Sequence, residues 1–195
     1  MPATFRPLLA AAALTAAFTA CSDPNAIEAQ FAIVTDTFAV FSINDAPSGA
    51  PTAISLFASV NGVPAVTAGP TFSFDFAVDA QGTGSVTLIP NSRVGNAMVR
   101  PHRVGLQVVP GTFDALTRAP ASGYKYDSLL VITPGQVVAV QAFDPFACPV
   151  AFLGTSIYGK LVVDSVRTGP TRVFFRSTVD PNCDFRSLLP GVPKD

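Results

Sequence analysis

His102 is the only histidine in the 195-residue chain, so any hydrolase relay that needs an imidazole has to be built on it. It stands in Arg100-Pro101-His102-Arg103, and no GxSxG elbow supplies a nucleophile. That proline-containing context describes an exposed loop between strands better than the seat of a catalytic base. A glycosidase needs two carboxylates facing each other across a cleft. Twelve Asp residues leave such a pair open, but Glu, the usual acid of raised pKa, occurs only at Glu28. A hydrolase acting through Asp side chains or His102 therefore stands as a competing reading. Asp75 and Asp79 lie on one strand about 13 Å apart, too far to share a calcium ion. Asp180-Pro181-Asn182-Cys183-Asp184 reads as a compact acidic turn. With no Walker A or dinucleotide fingerprint and no zinc-ligand spacing, neither a cofactor nor a metal is expected.

Binding chemistry is better represented. Arg93, Arg100, His102 and Arg103 fall within eleven residues that contain no acid. Such a patch could take up carboxylates, phosphates or lipid head groups. The plainer reading is a solvated loop whose arginines pair with Asp elsewhere. Arg172 and Arg176 flank Phe174 at strand spacing, which puts all three on one face as a cationic and aromatic contact surface, or as surface residues that merely snorkel. Twelve basic against thirteen acidic side chains argue against nucleic acid as a partner.

The elements that must carry these residues are strands. The chain is 49% hydrophobic and 13% charged, and 14 Gly and 18 Pro interrupt any long helical period. Val supplies 23 residues, whereas Lys supplies three and Glu one. Gln30 to Ile43 places apolar groups on both faces, as a central strand would. Ala53 to Val60 leads through Asn61-Gly62, a hairpin signal, into Val63 to Val66, which Pro64 demotes to an edge. Phe72, Phe74, Phe76 and Val78 alternate with Ser73, Asp75, Ala77 and Asp79, predicting one core face and one wet face. Ala80 to Gly84 turns that strand into Ser85 to Ile89. Leu129 to Ile132 and Val137 to Val140 are continuous apolar runs, predicted as adjacent central strands across Thr133-Pro134-Gly135. The last hairpin pairs Ile157 to Val166 with Thr171 to Thr178, and only Phe113 to Arg118 suggests a helical turn. Together these predict an all-β, antiparallel β-sandwich of about nine or ten strands, immunoglobulin-like or jelly-roll in style. With no Trp and three Tyr, an outer-membrane barrel would lack its aromatic girdles.

The N-terminus carries an address. Arg6 is the only charge before Asp23, and an apolar run of Ala, Leu and Phe reaches Ala20, too short for a membrane span. Residues 1–20 are expected to be a signal peptide. Phe18-Thr19-Ala20-Cys21 resembles the lipobox of bacterial lipoproteins, in which small residues precede a Cys that is lipidated and becomes the new N-terminus; Phe18 stands where the family usually has Leu. The resemblance implies lipidation at Cys21, export and a membrane anchor, with Ser22 favouring the outer membrane or cell surface over the inner membrane. Cys148 and Cys183 then remain as an even pair in an exported chain, and a disulfide between them is expected. Residues 21–29 would be the lipidated Cys and a tether; from Ser22 to Ala29 it reaches no more than about 26–29 Å. Residues 30–187 would be one sandwich and 188–195 a tail. The expected role is a non-enzymatic binding or structural one at the envelope, with the membrane as one partner and an envelope protein or glycan as another, or else as a subunit of an envelope assembly.

Overall fold

The structure, a computed structural model, describes residues 28–56, 64–69, 74–94, 103–143, 148 and 155–194. One sheet has six strands in the order β1 (Val34–Phe41), β11 (Arg172–Asp180), β10 (Ser156–Arg167), β9 (Val137–Phe143), β6 (Arg103–Val109) and β7 (Lys125–Tyr126). The other has five, β3 (Ala65–Val66), β2 (Ala53–Ile54), β4 (Phe76–Gln81), β5 (Ser85–Pro90) and β8 (Leu130–Ile132). Every pairing is antiparallel, and the two sheets face each other as an open sandwich. The all-β sandwich is as expected, with eleven strands among the described residues against the nine or ten expected, because two-residue pieces such as β7 are too short to show a period.

The core lies between the sheets and follows strand alternation. Phe38, Val40, Val173, Phe175, Leu161, Val163, Val138 and Val140 point inward from one sheet against Ile54, Phe76, Val78, Val86, Leu88 and Ile132 from the other. Phe38 and Phe175 stack with ring centroids 5.7 Å apart. β10 and β11 form the long last hairpin, with the chain turning back through Thr168 to Thr171. Gly159 lies inside it where a Cβ would sit 2.9 Å from the Thr178 carbonyl oxygen. Backbone cannot yield as a flexible side chain can, so Gly159→Ala is expected to cost about 1–3 kcal/mol in urea unfolding. Ala at this position with unchanged stability would show that β10 and β11 can separate locally.

Three local expectations are corrected. Leu130–Ile132 and Val137–Phe143 are not neighbours: β8 is the edge of the five-stranded sheet beside β5, and β9 lies between β10 and β6 in the other. Thr133 to Gln136 therefore crosses the sandwich, and the Gly135 amide donates to the Val163 carbonyl at 2.9 Å. As an edge, β8 leaves Val131 and its neighbour Leu129 exposed. β1, predicted central, is an edge strand paired with β11 alone in its sheet. The second face of β4 is not wet: Ala77 packs with Phe74 and Ala53 in a small cluster of its own, and Asp75 is buried with one carboxylate oxygen accepting from the Leu56 amide. The Asn61-Gly62 turn and Phe72 lie outside the described residues.

A roof covers part of the outer face of the six-stranded sheet. The chain after β6 makes one helical turn, with the Leu116 amide donating to the Thr112 carbonyl at 3.3 Å, and does not continue as a helix. It then pairs with the C-terminal segment: the Ala119 amide donates to the Arg186 carbonyl and the Leu188 amide to the Thr117 carbonyl, both at 2.8 Å. Phe113 packs on Val137 and Val162, and Ala119 and Leu188 pack on Tyr158. Part of the segment 188–195, expected as a C-terminal tail, thus packs against the sandwich. Leu188 is buried, and the Gly191 carbonyl accepts from the Ile33 amide at 2.9 Å.

Candidate functional site

Strand directions give the sandwich two distinct ends. Val34 opposes Val179 at the start of β1, and Phe41 opposes Arg172 at its end, about 23 Å further on. The first end gathers the entering N-terminal segment, the ends of β9 and β11, the start of β6 and the disulfide. The second is the β10–β11 hairpin tip.

At the tip, Val173 and Phe175 go to the core, so Arg172, Phe174 and Arg176 share the outer face as expected from their spacing. Arg167, the cross-strand partner of Arg172, joins them. Its guanidinium lies 5.1 Å from the Phe174 ring centroid, and that of Arg172 lies 5.2 Å from the same ring and 5.4 Å from Phe41. Stacking of this kind holds a guanidinium in place while its N–H edges stay available to an oxyanion. Neither Arg167 nor Arg172 meets a carboxylate among the described residues. Like charges directly opposite one another in a sheet repel, a cost that an arriving anion relieves. Arg176 has turned away: it bonds Asp164 at 3.1 Å and lies 4.7 Å from the Phe113 ring, at the margin of the roof. The turn is held at its base by the Thr171 amide, which donates to Asp45 at 2.6 Å and keeps that carboxyl below its ordinary pKa.

The proposed anion patch presents differently. Arg103 bonds the Asp127 carboxylate at 3.1 Å, and the Arg93 Nε donates to the Asp127 carbonyl at 2.7 Å. The Ser92 hydroxyl donates to the other carboxylate oxygen at 2.7 Å. This hydroxyl first, and then Arg103, hold the Asp127 carboxyl below its usual value. Arg103 also lies 5.0 Å from the Tyr126 ring. The two arginines tie the end of β5 to the start of β6 across the sheets. Arg100 and His102 lie outside the described residues, as does Cys21.

Cys148 and Cys183 are joined, with Cα atoms 5.8 Å apart. Next to the bond, Asn182 holds the entering chain. Its Oδ1 accepts from the Gln30 and Phe31 amides at 2.8 and 2.9 Å, and its Nδ2 donates to the Phe31 carbonyl at 2.8 Å. Asp180 is buried and spends Oδ1 on the Asn182 amide and side chain, and burial raises its pKa. Asp184 accepts from the Ser156 amide. Apart from Asp180 Oδ2, which is buried without a hydrogen-bond partner, the acidic turn spends these groups on chain closure, and among the described residues no set of three metal-type ligands converges.

Two arrangements under the roof had no signal in the sequence. Lys160 is buried, and its Nζ donates to the Phe113 and Leu116 carbonyls at 2.7 and 2.8 Å. Tyr126 donates to Gln141 Oε1 at 2.6 Å, while Gln141 Nε2 donates to Ser156 at 2.9 Å and Tyr158 at 3.1 Å. Gly105 makes room for this group, since a Cβ there would lie 2.8 Å from both Tyr124 and Tyr126. Both arrangements are closed hydrogen-bond sets with no nucleophile beside a base, and their chemistry is positional. Comparison with models of known families, with curated proteins and with solved structures found no match for this chain.

Proposed function

We propose that the chain is an exported, lipid-anchored envelope protein with a non-enzymatic binding role, and that the hairpin tip is its contact surface. The observation that carries this reading is the Arg167–Phe174–Arg172–Phe41 cluster: stacked, without carboxylate partners among the described residues, and at the end of the sandwich remote from the N-terminal segment. Its chemistry suits the carboxylate or phosphate groups of an envelope protein or glycan. Anchorage rests on the resemblance of Phe18-Thr19-Ala20-Cys21 to a lipobox. A photo-crosslinking residue in place of Thr168 is expected to capture a discrete envelope component in intact cells, and Arg172→Glu with Phe174→Ser is expected to lower capture at least about tenfold. The same yield with and without these substitutions would overturn the assignment of the tip.

A further inference from the structure

We infer that the end of the sandwich opposite the tip is seated on the bilayer that carries the Cys21 lipid, through a ring of exposed apolar side chains. The inference rests on the lipid-anchor reading and adds to it an orientation. Among the described residues seven large apolar side chains are exposed: Phe31, Val108, Leu129, Val131, Phe143, Leu189 and Val192. Five of these lie at one end. Phe31 is held by Asn182, two residues before the bridge between Ile33 and Gly191, and Leu189 and Val192 flank Gly191 in that bridge. Phe143 closes β9 opposite Arg103 and Ser156, the first residues of β6 and β10. Leu129 follows the Asp127 junction that ties Arg93 to Arg103.

The segment leading away from this end is what selects the occupant. Cys21 precedes Phe31 by ten residues, a span of at most about 36 Å even when fully extended. A lipid at Cys21 therefore holds these side chains within about 36 Å of the bilayer, close enough for them to reach it, and seating them there turns the hairpin tip outward. Exposed apolar groups gathered at one pole are unusual for a surface that faces only water. Their burial at the acyl boundary would add to the lipid's own hold. Of the local arginines, Arg103 is paired with the Asp127 carboxylate and Arg93 meets only the Asp127 carbonyl, so these three residues leave a single net positive charge beside the apolar groups. Attachment should therefore be mainly apolar, with little dependence on salt or on lipid charge.

The test uses the mature chain starting at Cys21, whose only free thiol is Cys21 once Cys148 and Cys183 are joined. A maleimide lipid on that thiol places the protein on phosphatidylcholine vesicles doped with a gadolinium-chelating lipid, and amide NMR reads the distance to the surface. The amides of Phe31, Leu129, Phe143, Leu189 and Val192 are expected to broaden at least about threefold more than those of Thr168 to Arg172, at low salt and at about 0.5 M salt alike. Phe31→Ser with Leu189→Ser, both at exposed positions, is expected to even out that contrast. Uniform broadening in the unaltered chain, broadening centred on the tip, or protection that grows with protein concentration through pairing of copies would each overturn the seating. Mass analysis of the chain taken from its own envelope reads the anchor separately. An unmodified Cys21 there removes the anchor reading whatever the NMR contrast shows.

Discussion

Replacing Cys148 and Cys183 together by Ala is expected to lower stability by about 3–4 kcal/mol, read as a shift of the urea midpoint with little change in slope. The bond joins residues 35 apart in sequence, and the whole of the last hairpin lies inside that loop. Releasing it returns the closure entropy of the loop to the unfolded chain, while the sheet pairings themselves stay intact. In a domain of this size the melting temperature should fall by roughly 10 °C. The loss should not be uniform. Cys183 follows Asn182, which pins the entering chain at Gln30 and Phe31, so amide exchange at Ile33 and Val34 should speed up before that of Val173 or Phe175. Ala is the informative replacement because Cys148 is buried in the main core, where a Ser hydroxyl would add a penalty of its own. A double Ala variant within about 1 kcal/mol of the parent would show that the unfolded chain is already held compact by other means.

The same bond illustrates what the sequence makes legible. Two cysteines left over once Cys21 is set aside, one on each side of a hairpin, are readable from composition and spacing. The hairpins β4–β5 and β10–β11 are readable because alternating strands meet at turns built from Gly, Thr and Pro. That Arg172, Phe174 and Arg176 share one face follows from period two alone. Sheet membership does not follow from pattern. Leu129 to Ile132 is as apolar as Val137 to Val140, yet it packs through Ile132 and, in part, Leu130, and its exposed members Leu129 and Val131 leave the same signature as buried ones. Thr133-Pro134-Gly135 has the chemistry of a hairpin and performs a crossing between sheets, since turn residues fix local direction and not the sheet that receives the next strand.

The outer face of the six-stranded sheet was the least legible region, because a roof made of sparse contacts carries no period. Phe113, Leu116, Ala119 and Leu188 are four apolar residues in two distant segments, and each becomes informative only once the other segment is beside it. The roof also sets the limits of the exposed tip. It buries the middle of the face, turning Tyr158 and Gln141 into a closed hydrogen-bonded set, and ends near Arg176, so that Arg167, Phe174 and Arg172 alone remain available at the tip. That Arg93 and Arg103 both meet Asp127, which lies 24 residues beyond Arg103 in the chain, could not be read from spacing.

Lys160 decides whether that roof stays closed, and Lys160→Ala is expected to cost about 2–4 kcal/mol. Its ammonium is the donor for the Phe113 and Leu116 carbonyls and lies 4.4 Å from the Phe113 ring, so truncation leaves two carbonyls short of partners and a gap where the stem had packed. Lys160→Met fills the gap and should cost less, about 1–2 kcal/mol, because only the donors are lost. In both variants exchange at the Leu116, Ala119 and Leu188 amides should accelerate while that at Leu161 in the sheet is retained. The pH dependence identifies the charge itself. Burial lowers the Lys160 pKa below its unfolded value of 10.5, with Asp114 opposing the shift and Arg176 adding to it. Well below both values the amine is charged folded and unfolded, and its contribution is flat. As pH climbs from the folded value towards 10.5, the unfolded chain binds the extra proton, and stability rises. Tyr124, Tyr126 and Tyr158, whose pKa values burial raises, work in the opposite sense above pH 10. They are common to the parent and to Lys160→Met, so the difference between the two isolates the lysine. That difference should widen in favour of the parent as the solution becomes alkaline, and a difference that stays constant with pH would mean that the ammonium is solvated and that the roof is held by its apolar contacts alone.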